Sequence, residues 1–432
     1  MNANNLFRFC IRSFRAIPCT IRLRRCYSVQ SKEMDLLQHL KTKIKFSGPI
    51  TVSEYMRMVL TNPLSGYYMQ KDVFGAKGDF ITSPEISQMF GELLAIWCIH
   101  EWMAFGSPPE VKLIELGPGR GTLADDMLRT FSQLKKKGVS ANFSLHLVEI
   151  SPHMRKLQES KLLGIPLEMV QTPQIVNSDA TSKQGRLHSE TKTTKYGTPV
   201  TWYYDMRTVP KGFSFFIAHE FFDALPVHQF QKTEKGWREV LVEIDEPSDG
   251  LKFVLSPIPT PAQKVFIEGK KLEHSNRDYI EICPEAGVIV HDIAARVKAY
   301  GGGALIADYG HVGEKGNTFR AFKNHQLHNP LVEPGSADLT ADVDFSYLKQ
   351  MVKGMVDVHG PVTQERFLTA MGIGERLKNL VNNNPKQRKD LLSGYDMLIS
   401  PKKMGERFKF MAMVPKSGNS DDVPAGFNWG KS

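Results

Sequence analysis

Cysteine is scarce in this 432-residue chain, and its placement excludes two classes of protein. Cys10, Cys19, Cys26, Cys98 and Cys283 show no metal-ligand spacing and no disulfide framework. Long apolar runs are also missing. None approaches the ~20 residues that span a bilayer, and the stretch Met89–Ile99 is interrupted by Glu92. No internal repeat is present. Acid is absent from residues 1–32, whose charges are Arg8, Arg12, Arg15, Arg22, Arg24, Arg25 and Lys32. Phe7, Phe9, Ile11, Phe14, Ile17 and Ile21 are interleaved with them. An Arg-rich, acid-free, amphipathic start reads as a mitochondrial transit peptide over residues 1–27, cleaved after Tyr27. Its six arginines account for most of the net charge of +9, leaving about +3. A nucleic-acid-binding reading loses its footing there.

The remainder divides by pattern. Residues 28–107 read as an N-terminal helical lobe. Within it, Ser83-Pro84-Glu85 opens a strong helix with Ile86, Met89, Phe90, Leu93, Leu94 and Trp97 on one face. Residues 108–415 alternate strands and helices, which predicts an α/β sheet covered on both faces. Strands are expected at Val111–Leu116, Phe143–Ile150, Val200–Tyr204, Phe213–Ala218, Ala304–Ala307, Met355–Val358 and Arg407–Val414. Residues 173–199 are polar and predict a mobile insertion. Residues 227–257 predict β-hairpins added to the main sheet. Residues 311–342 read as a long loop, and 416–432 as a polar tail.

Three stretches carry chemistry. Glu115-Leu116-Gly117-Pro118-Gly119-Arg120-Gly121 joins a buried strand to a helix through a glycine turn. Such a turn brings bare backbone to a ligand beside a helix N-terminus. The third glycine comes one residue early for a dinucleotide fingerprint. The E-x-G-x-G-x-G pattern instead resembles motif I of S-adenosylmethionine (SAM) methyltransferases; an ordinary turn with packing glycines is the alternative. Glu115 suits the cationic cofactor. Gly117, Gly119 and Gly121 clear its path. Glu149, at the end of the next strand, is placed to bond ribose hydroxyls. Gly78 and Asp79, in the loop before Ser83, are not explained by helix capping and join the cofactor-binding set.

In the third stretch the apolar strand Phe215–Ala218 ends abruptly in His219-Glu220-Phe221-Phe222-Asp223. Two carboxylates can hold a guanidinium by paired hydrogen bonds and align one nitrogen for in-line attack on a methyl group. A proton can leave through Glu220, Asp223 or His219. A capped helix is the plainer reading of the same residues, and nothing elsewhere supports a metal site.

Four segments in order resemble one family: Gly78–Gln88 with Phe90-Gly91-Glu92-Leu93, Glu115–Gly121, His219–Pro226 and Asp338–Phe345. They resemble the MidA family of mitochondrial protein-arginine methyltransferases, over roughly residues 33–415. The resemblance implies a class I SAM-dependent methyltransferase fold, Rossmann-like with a seven-stranded sheet. It also implies symmetric (type II) dimethylation of an arginine in a core subunit of respiratory complex I, in the matrix, during assembly. A chaperone that keeps the fold without needing catalysis, and a matrix dinucleotide enzyme, are the competing readings.

Overall fold

The centre of the fold follows from strands whose side chains are apolar on both faces. Such strands are buried between helix layers. The computed structural model describes residues 35–70, 81–170, 190–269, 276–418 and 422–428. The expected transit peptide therefore lies outside the described residues. Seven strands of five or more residues form the main sheet: β1 Glu110–Leu116, β2 Asn142–Val148, β3 Pro199–Tyr203, β4 Ser214–His219, β5 Gly302–His311, β6 Asp357–Thr363 and β7 Phe408–Val414. Their order is β3-β2-β1-β4-β5-β7-β6. Strands β3 to β5 run parallel, and β7 is antiparallel to both neighbours. Two-residue strands at Lys192–Thr193 and Val343–Asp344 pair with β3 and β5, so the sheet counts nine strands among the described residues.

The main helices are α1 Leu36–Ser47, α2 Val52–Thr61, α3 Gln88–Ala104, α4 Thr122–Lys135, α5 Pro152–Leu163, α6 Pro284–Tyr300, α7 Phe345–Met351, α8 Gln364–Ala370, α9 Ile373–Asn383 and α10 Arg388–Ile399. Side chains alternate across the sheet with the period of two that a pleated strand imposes. Leu113, Phe215, Ile217, Leu305 and Phe410 pack with α3, α4, α8 and α9. Ile114, Phe216, Ala218, Ile306 and Met411 pack with α6 and α7 on the other face.

Four expectations are corrected. The strands of 227–257 do not extend the main sheet. They form a separate antiparallel sheet with Ile50–Thr51 and Tyr279–Ile282. The reason is that β4, from which they depart, is already flanked by β1 and β5 and offers no open edge. The helix expected from Ser83 is broken: Ser83–Ile86 forms one turn, Ser87 is extended, and its hydroxyl accepts the Met89 N–H to cap α3. Residues 190–199 are packed rather than mobile, with Lys192–Thr193 on β3 and the Lys195 N–H donating to Leu162 O at 2.9 Å; the rest of that insertion lies outside the described residues. The long loop 311–342 contains a three-stranded sheet of Arg320–Lys323, Gln326–His328 and Asp338–Thr340.

The helices expected in an N-terminal lobe serve two cores. Leu40, Tyr55, Met56 and Val59 of α1 and α2 pack with Val240, Val242 and Leu339 of the smaller sheets. α3 belongs to the main sheet. Between β1 and β4 the chain order reverses, since β2 and β3 lie on one side of β1 and β4 on the other. Ligands of doubly wound sheets bind at that crevice, outside the strand C-termini. No helix among the described residues is long and apolar enough to cross a membrane.

Candidate active site

The glycine turn closes the C-terminal end of β1. Gly117, Gly119 and Gly121 have φ of 61°, 51° and 78°, which residues with a Cβ rarely adopt. A Cβ at Gly117 would meet the Phe221 ring at 2.9 Å, so the turn and the strand end after β4 are in direct contact. Gly121 precedes α4 and aims the helix N-terminus at the crevice. Glu115, one residue before the end of β1, is 4% exposed, and its Oε2 has no hydrogen-bond partner. Burial alone pushes its pKa up to about 8. A buried carboxyl without a partner is costly, and a cationic ligand would supply one.

Glu149 follows β2, and its N–H donates to Tyr203 O at 2.9 Å. Its Oε1 accepts the Ser151 N–H at 2.7 Å, and its Oε2 accepts the Gln158 side-chain amide at 2.9 Å. Burial raises its pKa to about 7 against the pull of those bonds. Gln158 also donates to Gly119 O at 2.7 Å, which links Glu149 to the glycine turn. A cleft is lined by Glu115, Gly117, Gly119, His219 and Glu220, together with Thr82, Pro84 and Glu85. Gly78 and Asp79 lie outside the described residues, just before the last three of these.

The other wall is the turn after β4. Glu220 has φ of 47°, a left-handed conformation that costs a non-glycine residue about 1–2 kcal/mol. Its N–H donates to Ala307 O at 3.0 Å. Asp308, fully buried on β5, holds the rest of the turn. Its Oδ2 accepts the N–H groups of Phe221, Phe222 and Asp223 at 3.1, 3.0 and 3.4 Å. These contacts over-determine the strained residue, which is the condition for such strain to persist.

His219 Nε2 lies 3.3 Å from Glu220 Oε1, yet neither atom has a hydrogen-bond partner. Burial lowers the His219 pKa to about 3. Burial and then Asp223 push the Glu220 pKa well above the carboxylate range. The two are therefore neutral neighbours, not an ion pair. The His219 ring packs against Phe90, with centroids 4.9 Å apart.

Asp223 Oδ2 accepts the Tyr309 hydroxyl, and it accepts the Thr340 hydroxyl at 2.9 Å. Its Oδ1 has no partner, and burial raises its pKa. The Tyr68 hydroxyl donates to Asp338 Oδ1 at 2.6 Å. The segment Asp338–Thr340 thus packs against the turn that carries Asp223. No group of His, Cys, Asp and Glu among the described residues could hold a metal.

The structure brings Glu115, Gly117, Gly119, His219 and Glu220 into one cleft. Glu149 joins through Gln158, and Asp223 through the same turn as Glu220. Sequence reasoning missed Gln158, Asp308, Tyr309 and Thr340. Asp308 was detectable as an acid closing an apolar strand; Gln158 left no local signal. The site fits a nucleoside-bearing cation on two observations: the bare buried Oε2 of Glu115, and a glycine cradle that a Cβ at position 117 would fill.

Comparisons with known proteins agree. A family profile described as "Putative S-adenosyl-L-methionine-dependent methyltransferase" matches residues 93–362. The human protein named "Protein arginine methyltransferase NDUFAF7, mitochondrial" is 54% identical over 383 residues, covering 88% of this chain and 83% of its own length. A Drosophila melanogaster homologue of that name is 46% identical, covering 89% and 86%. A crystal structure of a COG1565 superfamily member from Burkholderia thailandensis, bound to S-adenosyl-homocysteine, superposes with a TM-score of 0.72 at 26% identity, covering 91% of this chain and 95% of its own. With the glycine turn, the buried acids and a family match over more than half its length, this chain belongs to the S-adenosyl-L-methionine-dependent methyltransferase family.

Proposed function

We propose that this chain is a protein-arginine N-methyltransferase of the mitochondrial matrix. Its reaction is symmetric dimethylation of an arginine in a core subunit of respiratory complex I, as a step of assembly. The observation that carries the reading is the pair of buried, partnerless carboxyl oxygens on Glu220 and Asp223, set beside the cofactor cleft. The names of the human and fly relatives support the arginine, and the likeness to MidA proteins supports the complex I substrate.

Glu115 faces the ammonium end of the cofactor. Glu149 presents oxygens to the ribose. Gly117, Gly119 and Gly121, with the start of α4, accommodate the carboxylate end. When bound, S-adenosylmethionine supplies an electrophilic methyl group.

Glu220 and Asp223 hold the guanidinium of the substrate through its N–H groups, giving their bare oxygens partners. This aligns one nitrogen and lets the site spread the charge that grows on it. Burial raises the pKa of both acids in the empty site, Glu220 well above the carboxylate range, and the guanidinium favours their ionised forms. One of them, or His219, takes the proton lost from nitrogen.

The test is fragment mass analysis of complex I subunits from cells with and without the protein. Loss of one dimethyl-arginine mark is expected on its removal. An unchanged methylation pattern overturns the enzymatic reading. Glu220→Gln separates catalysis from chaperoning. It should retain cofactor binding, lose methyl transfer and fail to restore complex I; full restoration would favour the scaffold.

A further inference from the structure

We propose that Gln158 is a positioning residue of the cofactor site, locking the glycine turn and the Glu149 carboxylate into one ligand-ready arrangement. The inference rests on the reading that Glu149 faces the ribose.

Gln158 lies at the middle of α5 and is fully buried. All of its amide is committed. Nε2 donates to Gly119 O at 2.7 Å and to Glu149 Oε2 at 2.9 Å, and Oε1 accepts the Trp202 indole N–H at 2.9 Å. The amide orientation follows from chemistry. Reversing it would set its oxygen against a carbonyl and a carboxyl, and its NH₂ against an indole N–H. Trp202 sits on β3 under the Arg155 guanidinium, 5.5 Å from its ring centre, so the acceptor end is anchored. The side chain also floors the turn: a Cβ at Gly121 would lie 3.4 Å from Gln158 Cγ. One side chain thus joins the turn after β1, the end of β2, and β3.

The consequence for the ligand lies in the lone pairs of Glu149. Ser151 N–H occupies one position on Oε1, and Gln158 occupies one on Oε2. The Ile150 N–H also acts on this carboxyl, and these bonds fix its rotation while leaving an acceptor position open. A ribose hydroxyl can then be accepted without reorganisation. Without Gln158 the carboxyl group is free to turn, and the part-buried Gly119 carbonyl loses that donor.

A plain core strut would also be buried and bonded, so the test uses a readout that a strut does not move. The full chain is titrated by calorimetry with S-adenosylhomocysteine and with its 2′-deoxy analogue, for the wild type, Gln158→Leu and Gln158→Glu. The wild type is expected to prefer the ribose form by about tenfold or more, the scale of one hydrogen bond to a charged group. Both variants should bind S-adenosylhomocysteine at least about tenfold more weakly and prefer the ribose form by less than about threefold. Gln158→Glu keeps the acceptor for Trp202 and guards against a fold lost in Gln158→Leu. Its protonated carboxyl is again a donor, so its affinity relative to wild type should recover as pH falls from 8 to 6, while that of Gln158→Leu relative to wild type should not. Variants that keep the wild-type preference overturn the proposal alone, whatever their melting temperatures. A wild type that does not bind S-adenosylhomocysteine, or binds both forms equally, overturns the ribose assignment of Glu149 and this proposal with it.

Discussion

Replacing Glu115 by glutamine tests the cofactor site through thermodynamics that need no turnover. The buried carboxyl has its pKa pushed up to about 8 by desolvation. Its folded-state pKa exceeds the unfolded value, so the native state holds the proton more tightly. Stability therefore falls as pH rises through the window from about 4.5 to about 8, then levels off. Each pH unit in that window costs about 1.4 kcal/mol. Glu115→Gln removes this term. Its stability relative to wild type should climb with that slope, by ~3 kcal/mol from pH 4.5 to 7 at most. Urea unfolding at pH 5, 6, 7 and 8 reads the difference.

The same carboxyl predicts proton release on binding. At pH 7 a group with a pKa of about 8 is about nine-tenths protonated. Pairing with the ammonium of S-adenosylhomocysteine ionises it and expels about 0.9 proton. Calorimetric titration in phosphate and in Tris, whose ionisation enthalpies differ, measures the release. Glu115→Gln should bind more weakly and lose that share of it. A stability difference that is flat with pH, together with proton release unchanged in the variant, refutes the reasoning.

Two further outcomes follow from the turn contacts. Gly117→Val places a branched side chain where a Cβ alone already meets Phe221 at 2.9 Å, at a φ of 61°. S-adenosylhomocysteine binding should be undetectable by calorimetry, while circular dichroism reports a folded protein destabilised by about 1–3 kcal/mol. Asp308→Asn sets an amide donor against backbone N–H groups that now find an acceptor, at a cost of about 1–3 kcal/mol in denaturant unfolding. Methyl transfer should fall further than cofactor affinity, because the turn it holds carries Glu220 and Asp223, the proposed guanidinium-binding pair.

What the sequence made legible is what short range encodes. The glycine turn, β1, β4 and the apolar face of α3 each carry their signal within a dozen residues. Long-range pairing does not. The strands of 227–257 alternate like any hairpin, and only the occupied edges of β4 show that they must form another sheet. Asp338–Thr340 is too short for a periodic signal and is stabilised by partners such as Tyr68, 270 positions away. No elements were expected between 372 and 406, yet α9 and α10 pack there, with Leu377, Leu380 and Leu398 in the core. In α5, Arg155, Gln158 and Glu159 look like a solvated face but are buried. A polar residue that is fully paired in the interior has the same letter as one in water.

The pairing of acids separates structural from functional burial in this fold. Glu92 is buried and bonded by Arg129 and Arg376. Glu159 is buried between Arg155 and Lys192, and Glu239 meets His228 and Thr260. These acids stabilise contacts between elements, and each has its partner within the chain. Glu115 and Asp223 are buried and Glu220 is partly so, yet each keeps an inaccessible oxygen that nothing in the protein satisfies. All three gather at the C-terminal ends of β1 and β4, where the sheet order reverses. Partnerless buried acids lower stability, so their concentration at one end of the sheet is hard to attribute to folding. It is what a site needs if cations complete it: one at the glycine turn beside Glu115, and a planar one beside Glu220 and Asp223. Ligand charge then favours the ionised forms of groups whose pKa values burial raises in the empty protein, and binding strengthens where the fold alone is weakest.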